Sequence, residues 1–170
     1  GSNMQAIVDA CISGKINGEV VLVLGVRNDA PAMERARAAG IKTMTISPKD
    51  LITEEWYDAA VLEALISNRV DLVCLAGYMR VLGQRIIEAY RGRIMNVHPA
   101  LIPSFCGRGM YGHHVHEAVI ARGVKVTGVT VHFVDEDYDT GPIILQKAVY
   151  INEHDTPQTL QKRVMEEAEW

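Results

Sequence analysis

The sequence predicts an α/β fold: a doubly wound, mostly parallel sheet that gains antiparallel strands toward its C-terminal part. Three observations predict it. The runs VVLVLGV at 20–26 and LVCLA at 72–76 are short, continuously apolar and rich in β-branched residues, as in strands covered on both faces. Stretches of helical spacing lie between such runs, so strand and helix alternate as in βαβ units. Two longer strand patterns, 124–134 and 143–150, are joined by an acidic turn instead of a helix, which makes them an antiparallel pair.

Each element follows from its own residues. Met4, Ile7, Val8 and Cys11 form a helical stripe that ends at Gly14. After the strand 20–26, Pro31 starts a helix that Gly40 closes, and 41–46 reads as a short strand. Thr53 caps a longer helix reaching Asn68, with Trp56, Ala60, Leu62, Ala64 and Leu65 available for its buried face. The strand 72–76 ends at Gly77, a helix spans about 84–90, and a strand spans 94–97. Thr156-Pro157 opens a last helix. The glycine-flanked segment GRGMYGHHVH reads as a mobile loop. No repeat or linker interrupts the chain, which reads as one domain over 1–170.

Composition narrows the function classes. Apolar residues make up 48% and charged residues 22%, which suits a globular core. The net charge of −4 argues against a nucleic-acid partner or an anionic membrane surface, and no apolar run is long enough to span a bilayer. Cys11, Cys74 and Cys106 are scattered, without a C-x-x-C pair, which fits a reduced, cytoplasmic setting.

In a parallel α/β sheet, ligands bind beyond the carboxyl ends of the strands. That rule selects the turn 1–3, the segment 77–82, the stretch after Val97 and the turn 135–142. Asn96-Val97-His98-Pro99 is the most informative of these. Alternate strand residues share a face, so Asn96 and His98 project together, and Pro99 ends the ladder beside them. An amide donor next to an imidazole suits acyl transfer through a tetrahedral intermediate. The same tetrapeptide also fits a strand-end histidine bonded to a nearby backbone group. DEDYDTGP at 135–142 holds four acids, with Gly141 expected at positive φ. One acid facing inward would pair with His98, fix its tautomer and raise its pKa. Spacing does not say which. His113, His114 and His116 suggest a metal site only weakly, because neighbouring histidines cannot share one helix face and only Glu117 joins them.

The segments GSNMQAIVDA, LAGYMRVL, NVHPALIPSF and GVTVHFVDEDYDTGPIILQ occur in the order and spacing of one family. Together they resemble the glycinamide ribonucleotide formyltransferases of purine biosynthesis, which have a Rossmann-like fold. The resemblance implies a catalytic set of Asn96, His98 and Asp139, the acid just before Thr-Gly-Pro. It implies that Gly1, Ser2 and Asn3 hold the phosphate of glycinamide ribonucleotide at a helix N-terminus. Glu169 on the last helix would contact the glycinamide. Met79, Arg80, Val81 and Leu82 would line a folate pocket with Asn96. The co-substrate would be 10-formyltetrahydrofolate, with no metal, and the enzyme a monomer or homodimer. By the same resemblance a first strand precedes Gly1 and the domain continues past Trp170. Glu54-Glu55 stand where the family often has an arginine for the folate tail, so that role has no residue here. The nearest rival activity is formyltetrahydrofolate hydrolysis. Methionyl-tRNA formyltransferase and a non-catalytic, flavodoxin-like nucleotide-binding module fit less well.

Overall fold

The computed structural model describes residues 1–50 and 53–168. They form six helices and six strands in the order α1 (Ser2–Ile12), β1 (Val23–Gly25), α2 (Pro31–Ala38), β2 (Thr43–Thr45), α3 (Glu54–Ser67), β3 (Val73–Leu75), α4 (Gln84–Ala89), β4 (Ile94–His98), α5 (His113–Arg122), β5 (Val126–Phe133), β6 (Ile143–Tyr150) and α6 (Pro157–Ala168). Two compact units emerge, one of Gly1–Leu72 with Leu82–Ala89, the other of Val73–Val81 with the chain from Tyr90 onward.

The first unit holds the parallel pair β1–β2, in register from Val23 opposite Thr43 to Gly25 opposite Thr45. The expected strand 20–26 shortens to three residues, and Val21 and Val26 are exposed. Its three residues are all half-buried, so the apolar run lacks the two-sided cover that its composition anticipates. Gly25 leaves room for α2: a Cβ there would stand 2.7 Å from the Met33 sulfur, which would have to move. In α3 the Thr53 hydroxyl accepts from the Trp56 N–H, as a capping threonine does. The buried face is Tyr57, Val61, Ala64 and Leu65, a stripe at i, i+4, i+7 and i+8. Trp56 is 65% exposed, against expectation, because it sits one residue off that stripe.

The second unit is a four-stranded mixed sheet of order β3-β4-β5-β6. β3 and β4 are parallel, whereas β4–β5 and β5–β6 are antiparallel. Its core is Ala100, Val115, Val119, Val129, Val149, Leu160 and Val164, where α5 and α6 cover the sheet. β3 is not fully buried as its sequence suggests: Cys74 is exposed, and Val73 and Leu75 are half-buried. The segment expected to be a loop up to His116 is a loop only as far as Gly112. Gly112 and Gly123, the latter left-handed at φ 74°, bracket the helix α5. Val115, His116 and Val119 are its buried face, so apolar packing fixes a helix that the flanking glycines conceal.

Candidate active site

β4 ends at His98, immediately before Pro99. Asn96 lies opposite His132 across the antiparallel ladder, and His98 lies opposite Thr130. The four side chains share one face, because cross-strand partners point the same way and strand residues alternate. Three of them, His98, Thr130 and His132, are buried.

The turn after β5 brings one acid to this face. Asp139 is in the left-handed region, φ 55°, which Asp and Asn tolerate better than other side chains. Gly141, expected at positive φ, is not there. It is needed instead because a Cβ would fall 1.8 Å from the Phe133 carbonyl oxygen. The remaining turn acids look outward or close the turn. Glu136 pairs with Arg91 at 2.6 Å, Asp135 accepts from Thr140 Oγ1 at 2.6 Å, and Asp137 is exposed. Position 139 is therefore the inward acid that the sequence left open.

The Asp139 carboxylate serves two rings. Its Oδ2 stands 3.5 Å from His98 Nδ1 and accepts the Gly107 N–H at 3.0 Å. Its Oδ1 stands 3.5 Å from His132 Nε2. Burial pushes the Asp139 carboxyl up, but the His132 contact, the Gly107 N–H and both imidazoles together hold it below its usual value.

His98 Nε2 donates to the Phe105 carbonyl at 2.8 Å. The backbone bond that the tetrapeptide allows is thus present on one nitrogen, with the Asp139 carboxylate beside the other. The expected rise in its pKa does not occur. Burial dominates and lowers it, outweighing the Phe105 carbonyl and the Asp139 charge, while His132 adds a little in the same direction as burial.

The loop after β4 is fixed by Thr130. Its hydroxyl donates to the Ala100 carbonyl at 2.6 Å and accepts from the Ile102 N–H at 3.1 Å and from Gln146 Nε2 at 3.0 Å. One donor and two acceptor sites are fully used, so the strand end and the start of its loop are held as a unit.

His132 is the residue that sequence reasoning misses. Its Nδ1 donates to the Phe133 carbonyl at 2.8 Å, and Asn96 Nδ2 lies 3.3 Å from its Nε2. It sits within a strand and not in a loop, and its place depends on the β4–β5 register, which no motif states. Burial pulls its pKa down, but the Asp139 contact, the Phe133 carbonyl and the charges of Asp139 and Asp135 outweigh it and raise the value.

The other expected site residues belong to other segments. Gly1 is the N-cap of α1 and makes no side-chain capping bond, and Ser2 and Asn3 open that helix. Met79, Arg80 and Val81 belong to the second unit, with Met79 68% exposed, whereas Leu82 is buried in the first. Glu169 lies outside the described residues. His113, His114 and Glu117 meet on the first turns of α5, Glu117 standing 3.3 Å from His113 Nε2 and 3.2 Å from His114 Nδ1. Neighbouring histidines do reach one partner here, because Glu117 is four residues from one and three from the other. Among the described residues, no group of three His, Cys, Asp or Glu side chains is placed to hold a metal ion. Nor is any helix among them long and apolar enough to cross a membrane.

A strand end carrying an amide and an imidazole, with a carboxylate from a neighbouring turn beside it, is equipped to stabilise a tetrahedral intermediate and handle its protons. The chain belongs to the Formyl transferase family, whose signature spans residues 1–170. More particularly, it is 40% identical to the phosphoribosylglycinamide formyltransferase of Bacillus subtilis, over 96% of this chain and 82% of that protein. It is also 40% identical to the chloroplastic phosphoribosylglycinamide formyltransferase of Arabidopsis thaliana, covering 98% of this chain and 58% of that protein. The glycinamide ribonucleotide transformylase 1 structure from Symbiobacterium toebii superposes with a TM-score of 0.93 at 43% identity, over 99% of this chain and 77% of the other.

Proposed function

We propose that this chain transfers the formyl group of 10-formyltetrahydrofolate to the amine of glycinamide ribonucleotide, as a step of purine biosynthesis in the cytoplasm. The observation that carries this reading is the meeting of Asn96, His98 and Asp139 on one strand end, in a chain so similar to enzymes of that name.

The substrate amine attacks the formyl carbon, forming the new C–N bond, and the carbonyl electrons move onto oxygen. The Asn96 amide donates an N–H to that oxygen as charge develops. Such a donor is typically worth about 2.7–4 kcal/mol. The amine loses a proton, N10 of the folate gains one, and the old C–N bond breaks. His98 carries the proton between them, held in place by Asp139. Both of its nitrogens face protein oxygens, so the Phe105 carbonyl must release Nε2 when substrates enter. No covalent intermediate on the protein is required, because the amine is already a nucleophile.

The phosphate of the acceptor is assigned to Gly1, Ser2 and Asn3. The first N–H groups of α1 lack a side-chain cap and carry the positive end of the helix dipole. The folate is assigned to Met79, Arg80, Val81 and Leu82, read largely through backbone groups.

The test is tetrahydrofolate release from 10-formyltetrahydrofolate by the intact protein. Release only when glycinamide ribonucleotide is present supports the transferase. Equal release with water alone transfers the assignment to a hydrolase.

A further inference from the structure

We infer that His132 is a positioning residue that fixes which end of the Asn96 amide faces the reacting carbonyl. This inference rests on the role proposed above for Asn96.

The argument is one of donors and acceptors. His132 Nδ1 lies 2.8 Å from the Phe133 carbonyl, which only accepts, so Nδ1 carries a proton. In the neutral ring Nε2 then holds a lone pair. Asn96 Nδ2, 3.3 Å away, fills that site by donating. The opposite amide orientation would set the Asn96 oxygen against a lone pair. Neutral His132 thus selects the orientation in which one N–H is tied and the second is presented outward as a donor. The Asn96 side chain makes no other hydrogen bond among the described residues, so nothing else selects its orientation.

A second partner makes the selection depend on protons. Asp139 Oδ1 lies 3.5 Å from the same Nε2. When the ring gains a proton, Nε2 becomes a donor and turns to Asp139. Asn96 then loses its acceptor, and its oxygen end becomes the better fit toward the ring. The ionisable groups whose charges reach His132 are Asp139 and Asp135 from the turn and His98 from β4, and its register partner on β6 is the uncharged Ile143. The two acids favour the proton. The donor orientation is therefore complete above the His132 titration, which lies above the ordinary histidine value, and is lost as pH falls through it.

Three variants and a spectrum test this in the intact protein. His132→Leu keeps apolar volume and removes the acceptor. It should lower kcat about 10- to 100-fold, part of what one oxyanion donor supplies, with both KM values changed less than about threefold. His132→Gln supplies an acceptor oxygen that does not titrate. It should recover most of kcat and remove the acid limb of the rate profile. In an Asn96→Ala background, His132→Leu should cost nothing more, because its effect passes through Asn96. Additive losses in the double variant would overturn the inference, as would an unchanged acid limb in His132→Gln. The Gln variant carries the test alone if His132→Leu fails to fold. The side-chain amide NMR signal of Asn96, recorded without substrates, should move with pH in the unsubstituted protein and stay fixed in His132→Gln. A signal that ignores pH sinks the inference whatever the activity. A signal that titrates in a protein unable to formylate glycinamide ribonucleotide sinks the proposed reaction and leaves the positioning intact.

Discussion

Two carboxylates of the second unit are both half-buried and are partnered differently. Asp155 links the end of β6 to the start of α6. It is bidentate with Arg163 at 2.7 and 2.5 Å, it accepts the Asn152 N–H at 2.7 Å and the Thr159 hydroxyl at 2.9 Å, and Arg163 also donates to the Tyr150 carbonyl at 2.8 Å. Asp139 meets two imidazoles at 3.5 Å each. A guanidinium never loses its charge, so short planar bonds to it make a fixed clip. Imidazoles gain and lose protons near neutrality, so longer contacts to them make a responsive pair. One carboxylate is locked to a permanent charge, and the other answers to groups that titrate.

The largest expected effect is His98→Asn, which should lower kcat about 10²–10⁴-fold, the usual range for lost acid–base assistance, with little change in thermal midpoint. Unchanged turnover would place the chemistry away from this strand end and break the comparison at once.

Asp139→Asn comes next, since asparagine keeps the left-handed backbone. It should lower kcat about 10- to 100-fold. The apparent pKa of the rate profile should also fall, because removing an anion makes both imidazolium forms less stable. Asp137→Asn, at an exposed position, should leave the profile unchanged. A profile that shifts with Asp137 and ignores Asp139 would mean that a different turn acid faces the strand.

Asp155→Asn should do the reverse, leaving kcat alone and lowering stability. The Arg163 bonds, first among several, hold the Asp155 carboxyl at about 2. Its folded value lies below the unfolded one, so its contribution is complete above the ordinary carboxylate range and is lost as pH falls toward about 2. After allowance for solvent screening it amounts to roughly 1–2 kcal/mol at neutral pH, a few degrees of thermal midpoint. Melting curves of both proteins should converge in acid. A parallel offset at all pH values would assign the loss to packing.

The smallest expected effect lies in the first unit. Asn3→Ala should raise the KM for glycinamide ribonucleotide by about two- to fivefold and leave that for the folate unchanged, because most of the holding falls to backbone N–H groups. Equal weakening of both ligands would make the turn purely structural.

The sequence discloses what local rules control. Pro99 marks the end of β4, Thr53 caps α3, and Asn96 and His98 share a face by strand periodicity alone. Helix α5 hides because its glycines and adjacent histidines resemble a loop until Val115 and Val119 find their core. His132 hides for a different reason. A histidine inside a strand has no local signature of its own, and only the register of β4 against β5 sets it opposite Asn96. Trp56 misleads because the true stripe of α3 is set by what lies against it. Local chemistry is legible in one dimension, and register is not.

The bond from His98 to the Phe105 carbonyl has a consequence for chemical labelling. An acylating reagent such as diethyl pyrocarbonate needs an unprotonated, reachable ring nitrogen. His98 is 3% exposed and both its nitrogens are turned to protein oxygens. His114, 59% exposed, and His154 on the surface are open to the reagent from the start. Such surface histidines should thus be carbethoxylated while turnover is still intact. Inactivation should follow later, at the rate at which the 104–107 segment lifts its carbonyl away, so the lag between labelling and loss of activity times the opening of this strand end.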